Sequence, residues 1–394
     1  MSTTHKARNP WLMLAVTYLA AFSAPLNMFK VPAVAPALIG AYGIDSTGIG
    51  LLMSAYTLTG VILALPAGAI ARKIGYKQTS LIALGVSIVG AGLGCLAPDM
   101  GMLLFSRVFE GIGLCMMGVT GISIVVGYFP IEKRGRAVGV FATYMALAGC
   151  LGPLILSIVG QTYGFKTVWY VCFVFTIIAT LIFFLVLRNP EVPEDEKDMP
   201  KVNMFKVFAQ NKQLWLLVIV FTIHNFVVVG VINNFASTYL VSTFGISMAD
   251  AGLLSAITAI CATISMMLAG TLSDRLKTRK KLIVFGVILG LIASAFIYSV
   301  DNLSGCIAFM VIAGIEGGCI PAMCQTAGPE ILKKRQLAPV SQAFLSFGQN
   351  VGQFLGSAIF GVAAASIGWA ISGWAILVPL FVIALIVALL MKIK

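Results

Sequence analysis

Four charged residues stand inside stretches that are otherwise apolar: Lys30, Arg107, Glu110 and Glu316. A charge at the centre of a membrane-spanning helix costs roughly 2.5–3.5 kcal/mol or more, so each needs a partner, a wet cavity or a task. At 1.5 Å of rise per residue, Lys30 lies about 15 Å from the outer end of its run, Arg107 about 9 Å, Glu110 about 14 Å and Glu316 about 18 Å. The four therefore share a similar depth. Arg107 and Glu110 are three residues apart and share a helix face, where they can neutralise one another. Lys30 has no acid within four residues on its own helix, so its partner must come from another span or from a bound molecule. A lysine reaches about 6 Å, too short to snorkel across about 15 Å. The chemistry this predicts is anion binding between Lys30 and Arg107, with Glu110 or Glu316 loading and releasing a proton. Pairing of Glu316 with Lys30 or Arg107 across a cavity is the other reading.

Neutral polar groups extend this set. Asn27 precedes Lys30, with Pro32 and Pro36 just beyond, and these prolines free backbone carbonyls as in a bent, cavity-lining helix. His224, Asn225, Asn233 and Asn234 gather in one apolar run, Gln342, Gln349, Asn350 and Gln353 in another. The candidate substrate-binding residues are Lys30, Arg107, Asn27, His224, Asn225, Asn233, Gln325, Gln349, Asn350 and Gln353. Some of the amides can instead be interhelical glue worth about 0.6 kcal/mol each, and His224 alone also fits a helix-packing group. The eight cysteines lack metal-ligand spacing and read as small packing residues. There is no P-loop, no metal-spaced His/Glu cluster and no nucleophile motif, which argues against an enzyme, an ATP-driven pump, a metal or a cofactor.

The elements that must position these residues follow from composition. Of 394 residues, 59% are hydrophobic and 10% charged, against about 25% charged in soluble domains. Apolar runs fall near 11–39, 48–71, 79–97, 101–128, 136–160, 167–187, 214–240, 249–273, 281–300, 304–328, 338–365 and 368–391. Each is long enough to cross ~30 Å of hydrocarbon as a helix, and no alternating barrel pattern is present. The polar start, Met1 to Pro10, followed by a long apolar run, does not read as a cleavable signal. The formal charge of +12 is topological. All but Lys30, Arg107 and Lys166 of the basic residues lie at the termini or in alternate connections, which predicts a multi-pass cell-membrane protein with both termini cytoplasmic. Nucleic acid is not an expected partner; lipid is.

Proline and acid between Arg188 and Gln213 mark a linker, giving a first bundle over 1–190, a cytoplasmic linker over 191–213 and a second bundle over 214–394. Shifting the chain by 202 sets Gly43-Ile44 on Gly245-Ile246, Gly50-Leu51-Leu52 on Gly252-Leu253-Leu254 and Gly68 on Gly270. A shift of 206 sets Glu110-Gly111 on Glu316-Gly317, with Ala313 at the place of Arg107. The expected fold is all-α, twelve transmembrane helices in two six-helix parallel repeats. Glycines at helical spacing, such as Gly348, Gly352 and Gly356, predict close packing seams.

Gly270-Thr271-Leu272-Ser273-Asp274-Arg275 with Arg279-Lys280 resembles the loop after the second span in each half of the major facilitator superfamily. Arg107 to Gly113 resembles that family's fourth span, and Pro130 with Glu132 to Gly139 its next loop. The resemblance implies a major facilitator fold working as a rocker switch. Its cavity would lie between the halves, lined by spans one, four, seven and eleven, and would open alternately to each side. It implies a monomer whose cytoplasmic latch uses Arg72, Lys73, Asp274, Arg275, Arg134 and Arg136. Arg72 stands where the family has aspartate, which weights that latch to the second half. Gly149-Cys150-Leu151-Gly152-Pro153 partly resembles the antiporter motif without its following glycine pair. The expected function is secondary active transport of a small organic or inorganic anion coupled to protons. The rival is proton-coupled multidrug export, which methionines such as Met116, Met117, Met266 and Met267 would suit. Nitrate porters carry paired arginines on the second span of each half, absent from 48–71 and 249–273, so nitrate is not singled out.

Overall fold

Inside lipid a backbone group finds no water, so each crossing segment must satisfy its own N–H and C=O groups, and a helix does so locally. The structure, a computed structural model, describes residues 9–188, 204–332 and 338–393, and these are helical with no strand. The first half contains span 1 (Pro10–Tyr42), span 2 (Ser46–Leu63, continued by Ala67–Ile74) and span 3 (Tyr76–Cys95). Span 4 (Met100–Tyr128), span 5 (Ile131–Tyr163) and span 6 (Phe165–Val186) complete it. The second half contains span 7 (Lys212–Phe244), span 8 (Met248–Leu276), span 9 (Lys280–Phe296), span 10 (Leu303–Leu332), span 11 (Ala338–Ile367) and span 12 (Trp369–Leu390). Large apolar residues such as Leu185, Ile178 and Leu268 are exposed on the outside, a surface that suits lipid and not water.

Residues 189–203, most of the expected linker, lie outside the described residues. The rest of that stretch is a short helix, Met204–Gln210, and span 7 already begins at Lys212, capped by Asn211. Phe208 stacks on Phe344 at 3.7 Å between centroids, so the helix is anchored to span 11.

The duplication is written into the backbone. Gly43 (φ 61°) ends span 1 and Gly245 (φ 64°) ends span 7, both left-handed, a conformation that costs other residues about 1–2 kcal/mol. Lys77 donates to Phe184 O and Leu187 O at the end of span 6, and Lys280 donates to Leu389 O at the end of span 12. Both ammonium groups satisfy orphan carbonyls at a helix C-terminus. Two acids of the opposite connections are N-caps: Asp45 accepts from Thr47 N (2.8 Å) and Asp99 from Met102 N (2.8 Å).

Four spans depart from the straight rods the hydropathy predicts, among them span 12, which widens into a π-helix over Gly373–Leu377. Span 2 breaks at Ala64 to Pro66, because Pro66 has no N–H for Ile62 O and its ring crowds the preceding turn. Span 1 kinks at Val34 (φ −121°, ψ 17°), between Pro32 and Pro36. Span 7 widens into a π-helix over Asn225–Asn233, which nothing in the sequence pattern announces. Pro153 lies inside the continuous helix of span 5.

Both described ends, at Asn9 and Ile393, lie on one face of the molecule, here the terminal face; the opposite one is the far face. The halves meet tightly from the far face down to mid-depth. A Cβ on Gly50 would stand 2.2 Å from Ser357 O, one on Gly60 1.9 Å from Asn350 Oδ1, and one on Gly252 1.9 Å from Ser157 Oγ. Ser54 Oγ donates to Phe354 O (2.8 Å), and Ala249 N to Gln161 Oε1 (2.7 Å). Toward the terminal face, Gly139 and Gly270 would have none of the described residues within 4 Å of an added Cβ, and Gly68 only the tip of Arg72 on its own helix. The seam is therefore closed at one end and loose at the other.

Candidate functional site

Span 1 reaches the site already bent, and the bend supplies its acceptors. Pro32 has no N–H to offer Met28 O, and Arg107 of span 4 takes that carbonyl through Nη2 (3.4 Å). The same guanidinium donates through Nη1 to Asn27 O (2.7 Å) and Glu110 Oε2 (2.5 Å), and through Nε to Leu52 O of span 2 (3.4 Å). Its Cζ lies 4.2 Å from the Tyr56 ring centroid, and the Tyr56 hydroxyl donates to Ala24 O (2.7 Å). Arg107 thus pins spans 1, 2 and 4 together.

Lys30 completes the cluster. Its Nζ is paired with Glu110 Oε1, donates to Asn27 Oδ1 (3.0 Å) and lies 4.9 Å from the Trp169 centroid in span 6. Asn27 Nδ2 donates to Ser23 O (2.9 Å) and Thr176 Oγ1 (3.0 Å), which fixes the oxygen it turns to Lys30. Lys30, Arg107, Glu110 and Asn27 are each 0% exposed. Two cations share one carboxylate, so the pocket holds one positive charge in excess. Cation–π contacts and carbonyls spread that excess over neutral groups, each worth about 1–2 kcal/mol when desolvated.

Lys30, expected to bind an anion, is fully buried and already paired with Glu110. In this state its nitrogen is enclosed by the first half and bonded to protein. Asn27 likewise holds Lys30 in place and offers nothing to the space between the halves. The i,i+3 pairing of Arg107 with Glu110 does form, but the second carboxylate oxygen crosses to span 1.

The second half repeats the motif with weaker ions. Glu316 of span 10 meets His224 of span 7, Oε1 to Nδ1 at 2.8 Å, both buried. Glu316 therefore pairs with neither Lys30 nor Arg107, and His224 is engaged by an acid from its own half. Asn225 Nδ2 donates to Phe221 O (2.8 Å) and Gln353 Nε2 to Asn225 Oδ1 (3.2 Å), so these two amides serve each other. Asn234 Nδ2 donates to Ser357 Oγ (2.8 Å). Gly352 and Gly356 let span 11 lie against the span 7 backbone, where a Cβ would stand 2.3 Å from Thr222 O and 2.4 Å from Phe226 O. Asn233, Gln349 and Asn350 are half-buried, with Asn350 against Gly60 in the closed seam; Gln325 is exposed.

The expected latch residues lie at the terminal-face ends of spans 2, 5 and 8. Arg72, Lys73, Arg136 and Arg275 are exposed, and the Arg136 guanidinium lies 5.5 Å from the Trp11 centroid. Arg134 Nε donates to Phe129 O (3.1 Å). Asp274 lies on the last turn of span 8, its side chain outside the described residues. Near that loop Arg279 pairs with Glu330 (3.2 Å), backed by Arg279 Nη1 to Ser273 Oγ (2.5 Å). Met116 and Met117 are packed inside the first half and do not line an open pocket. Tyr56, Trp169 and Thr176 were missed by sequence reasoning; aromatic and hydroxyl groups in apolar runs carry no signal until their neighbours are known.

Comparison with known proteins fits this architecture. The sequence profile of the Major Facilitator Superfamily matches residues 17–234 and again 223–394. The chain is 32% identical over 192 residues to Azole resistance protein 1 of Saccharomyces cerevisiae, a match spanning 48% of this chain and 30% of that protein's length. It is 30% identical over 282 residues to the Probable nitrate transporter NarT of Staphylococcus aureus, covering 69% of each. The fold matches a bacterial homolog to the human lysosomal transporter Spinster in an inward-facing, unoccupied conformation, with TM-score 0.82 and 18% identity over 98% of this chain and 96% of that one. A profile match running from residue 17 to 394, apolar helical spans in two halves and a seam between them place this multi-pass membrane protein in the Major Facilitator Superfamily.

Proposed function

We propose that this chain is an alternating-access secondary transporter that moves a small organic or inorganic anion together with protons. The bundles over 1–190 and 214–394 would rock about the seam, joined by the 191–213 linker, in a monomer. Both termini would be cytoplasmic, so the loose end of the seam would face the cell interior. The observation that carries the reading is the Lys30–Glu110–Arg107 cluster, where two buried cations are held by a single carboxylate. Glu110 then acts as an internal substitute for the substrate. An anion arriving from the seam competes for one cation, and a proton taken up on Glu110 or Glu316 offsets the charge it brings.

The test is uptake into proteoliposomes carrying the purified chain, with nitrate and a panel of carboxylates as probes. Nitrate belongs in the panel because a relative's name carries it, although the interiors of spans 2 and 8 hold no arginine. Lys30→Ala is expected to lower uptake of the transported anion by about 100-fold, the loss of a charge-assisted contact of about 2–3 kcal/mol. Unaltered uptake of every anion in Lys30→Ala would remove the anion assignment. Export of lipophilic drugs is the second reading, supported by the match to an azole resistance protein. Protection of a pump-deficient strain against azoles, with no anion uptake, would select it.

A further inference from the structure

Glu110 and Glu316 occupy duplicated positions, yet their surroundings make them fit for different work. Both oxygens of Glu110 rest on cations, Oε1 on Lys30 and Oε2 on Arg107. A proton placed there would strand two buried positive charges. Glu316 has one occupied oxygen and one idle: Oε1 meets His224 Nδ1 at 2.8 Å, while Oε2 is buried with no hydrogen-bond partner. His224 keeps 2% of its surface exposed, and its second ring nitrogen, Nε2, has no hydrogen-bond partner among the described residues. An imidazole that holds an acid at one nitrogen and leaves the other unbonded has the form of a proton relay.

The neighbours do not compete for that proton. On span 7, Asn225 is bonded to Phe221 O and to Gln353 of span 11. On span 8, Ser265 donates to Ile315 O (2.6 Å) and lies 3.3 Å from Cys319 Sγ. The other titratable groups close enough to feel Glu316 are the thiols of Cys319 and Cys324. Among the described residues, spans 7–12 carry no lysine, arginine or aspartate in their interiors. The π-helix begins at Asn225, the residue after His224. Such wide turns recur at functional sites, and this one sits where a change in the His224–Glu316 bond is transmitted into span 7.

We infer that the two halves divide the labour: the His224–Glu316 pair carries the coupling proton and the Lys30–Glu110–Arg107 cluster handles the anion. The inference rests on the proton-coupled anion reading above. A proton reaching His224 Nε2 lets Nδ1–H pass its own proton to Glu316 Oε1, leaving a neutral imidazole and a neutral carboxyl. The loaded pair is uncharged and tolerates the dry, closed seam; the unloaded pair keeps a buried negative charge and favours the state that wets it. Release on the opposite side reverses the two transfers.

The experiment uses the full chain in proteoliposomes with nitrate as probe, or the panel carboxylate that the wild type accepts. A gradient of about one pH unit drives about tenfold accumulation if one proton moves with each monovalent anion. Glu316→Gln and His224→Gln are expected to abolish this accumulation while exchange of labelled for unlabelled anion, which needs no proton, continues. Lys30→Ala should lose both. Accumulation by Glu316→Gln equal to wild type overturns the inference. Where the wild type moves no tested anion, the anion reading itself fails and infrared titration of the purified chain decides the pair. A protonated-carboxyl band that titrates in the wild type, vanishes in Glu316→Gln and shifts its midpoint in His224→Gln supports it; a band unaffected by either substitution overturns it.

Discussion

Lys30 and Glu110 are 80 residues apart in the chain and form a fully buried ion pair between spans 1 and 4. The same carboxylate holds Arg107, so one acid neutralises two cations that would otherwise stand in lipid-like surroundings. Each of the three residues has a different burden. That inequality gives the first prediction.

Glu110→Gln leaves both Lys30 and Arg107 without a counter-charge and should destabilise the first half by about 3–5 kcal/mol. Lys30→Met removes the excess cation and leaves the Arg107–Glu110 pair balanced, so it should cost under about 2 kcal/mol. Thermal unfolding in detergent, read as the order of the two midpoints, checks this. A Lys30→Met variant less stable than Glu110→Gln would contradict the proposed charge balance.

Tyr56 contributes through two separable contacts. Tyr56→Phe loses only the hydroxyl bond to Ala24 O, about 0.5–1.5 kcal/mol. Tyr56→Leu also loses the ring over Arg107, roughly 2 kcal/mol more for a desolvated cation–π contact. Stability measurements on both variants should reproduce the gap between them.

Far-face glycines set the closed state of the seam. Gly252→Leu drives side-chain atoms into Ser157 and Pro153 O, an overpacking cost of about 1–3 kcal/mol borne only while the halves touch there. The far face should open about ten- to a hundredfold more often. In a cysteine-free background, Ser54→Cys on the seam should then react correspondingly faster with an impermeant maleimide applied from the far side. An unchanged labelling rate would show that the seam relaxes without opening.

The duplicated left-handed glycines should respond alike. Gly43→Ala and Gly245→Ala each force a side chain into positive φ and should each cost about 1–2 kcal/mol. Gly139→Ala, in a helical turn with nothing near its Cβ, should be neutral or stabilising by about 0.5–1 kcal/mol. Unfolding midpoints of the three variants would reveal whether repeat position or local geometry sets the cost.

Helix number, approximate span ends and the repeat were legible in the sequence, because the signals that set them are local. A run of apolar residues crosses lipid whatever its neighbours do, and a glycine in the left-handed turn at Gly43 marks the same corner as its duplicate at Gly245. Even the bend of span 1 was readable from Pro32 and Pro36. The break of span 2 needed closer attention to Pro66, whose missing N–H is as local as any of these.

The site divided differently. That Lys30, Arg107, Glu110 and Glu316 demanded partners followed from sequence, since a charge in hydrocarbon carries its cost wherever it sits. Which partner each one took did not. Lys30 reaches Glu110 over 80 positions and His224 reaches Glu316 over 92. Those pairings depend on how far each helix turns about its axis and how deep it sits, quantities fixed by glycine contacts such as Gly356 on Phe226 and by a π-helix in span 7 that adds a residue to the turn. A residue's solvation energy is written in its own side chain. Its partner is decided by the rotation of a second helix, which only the packed structure sets.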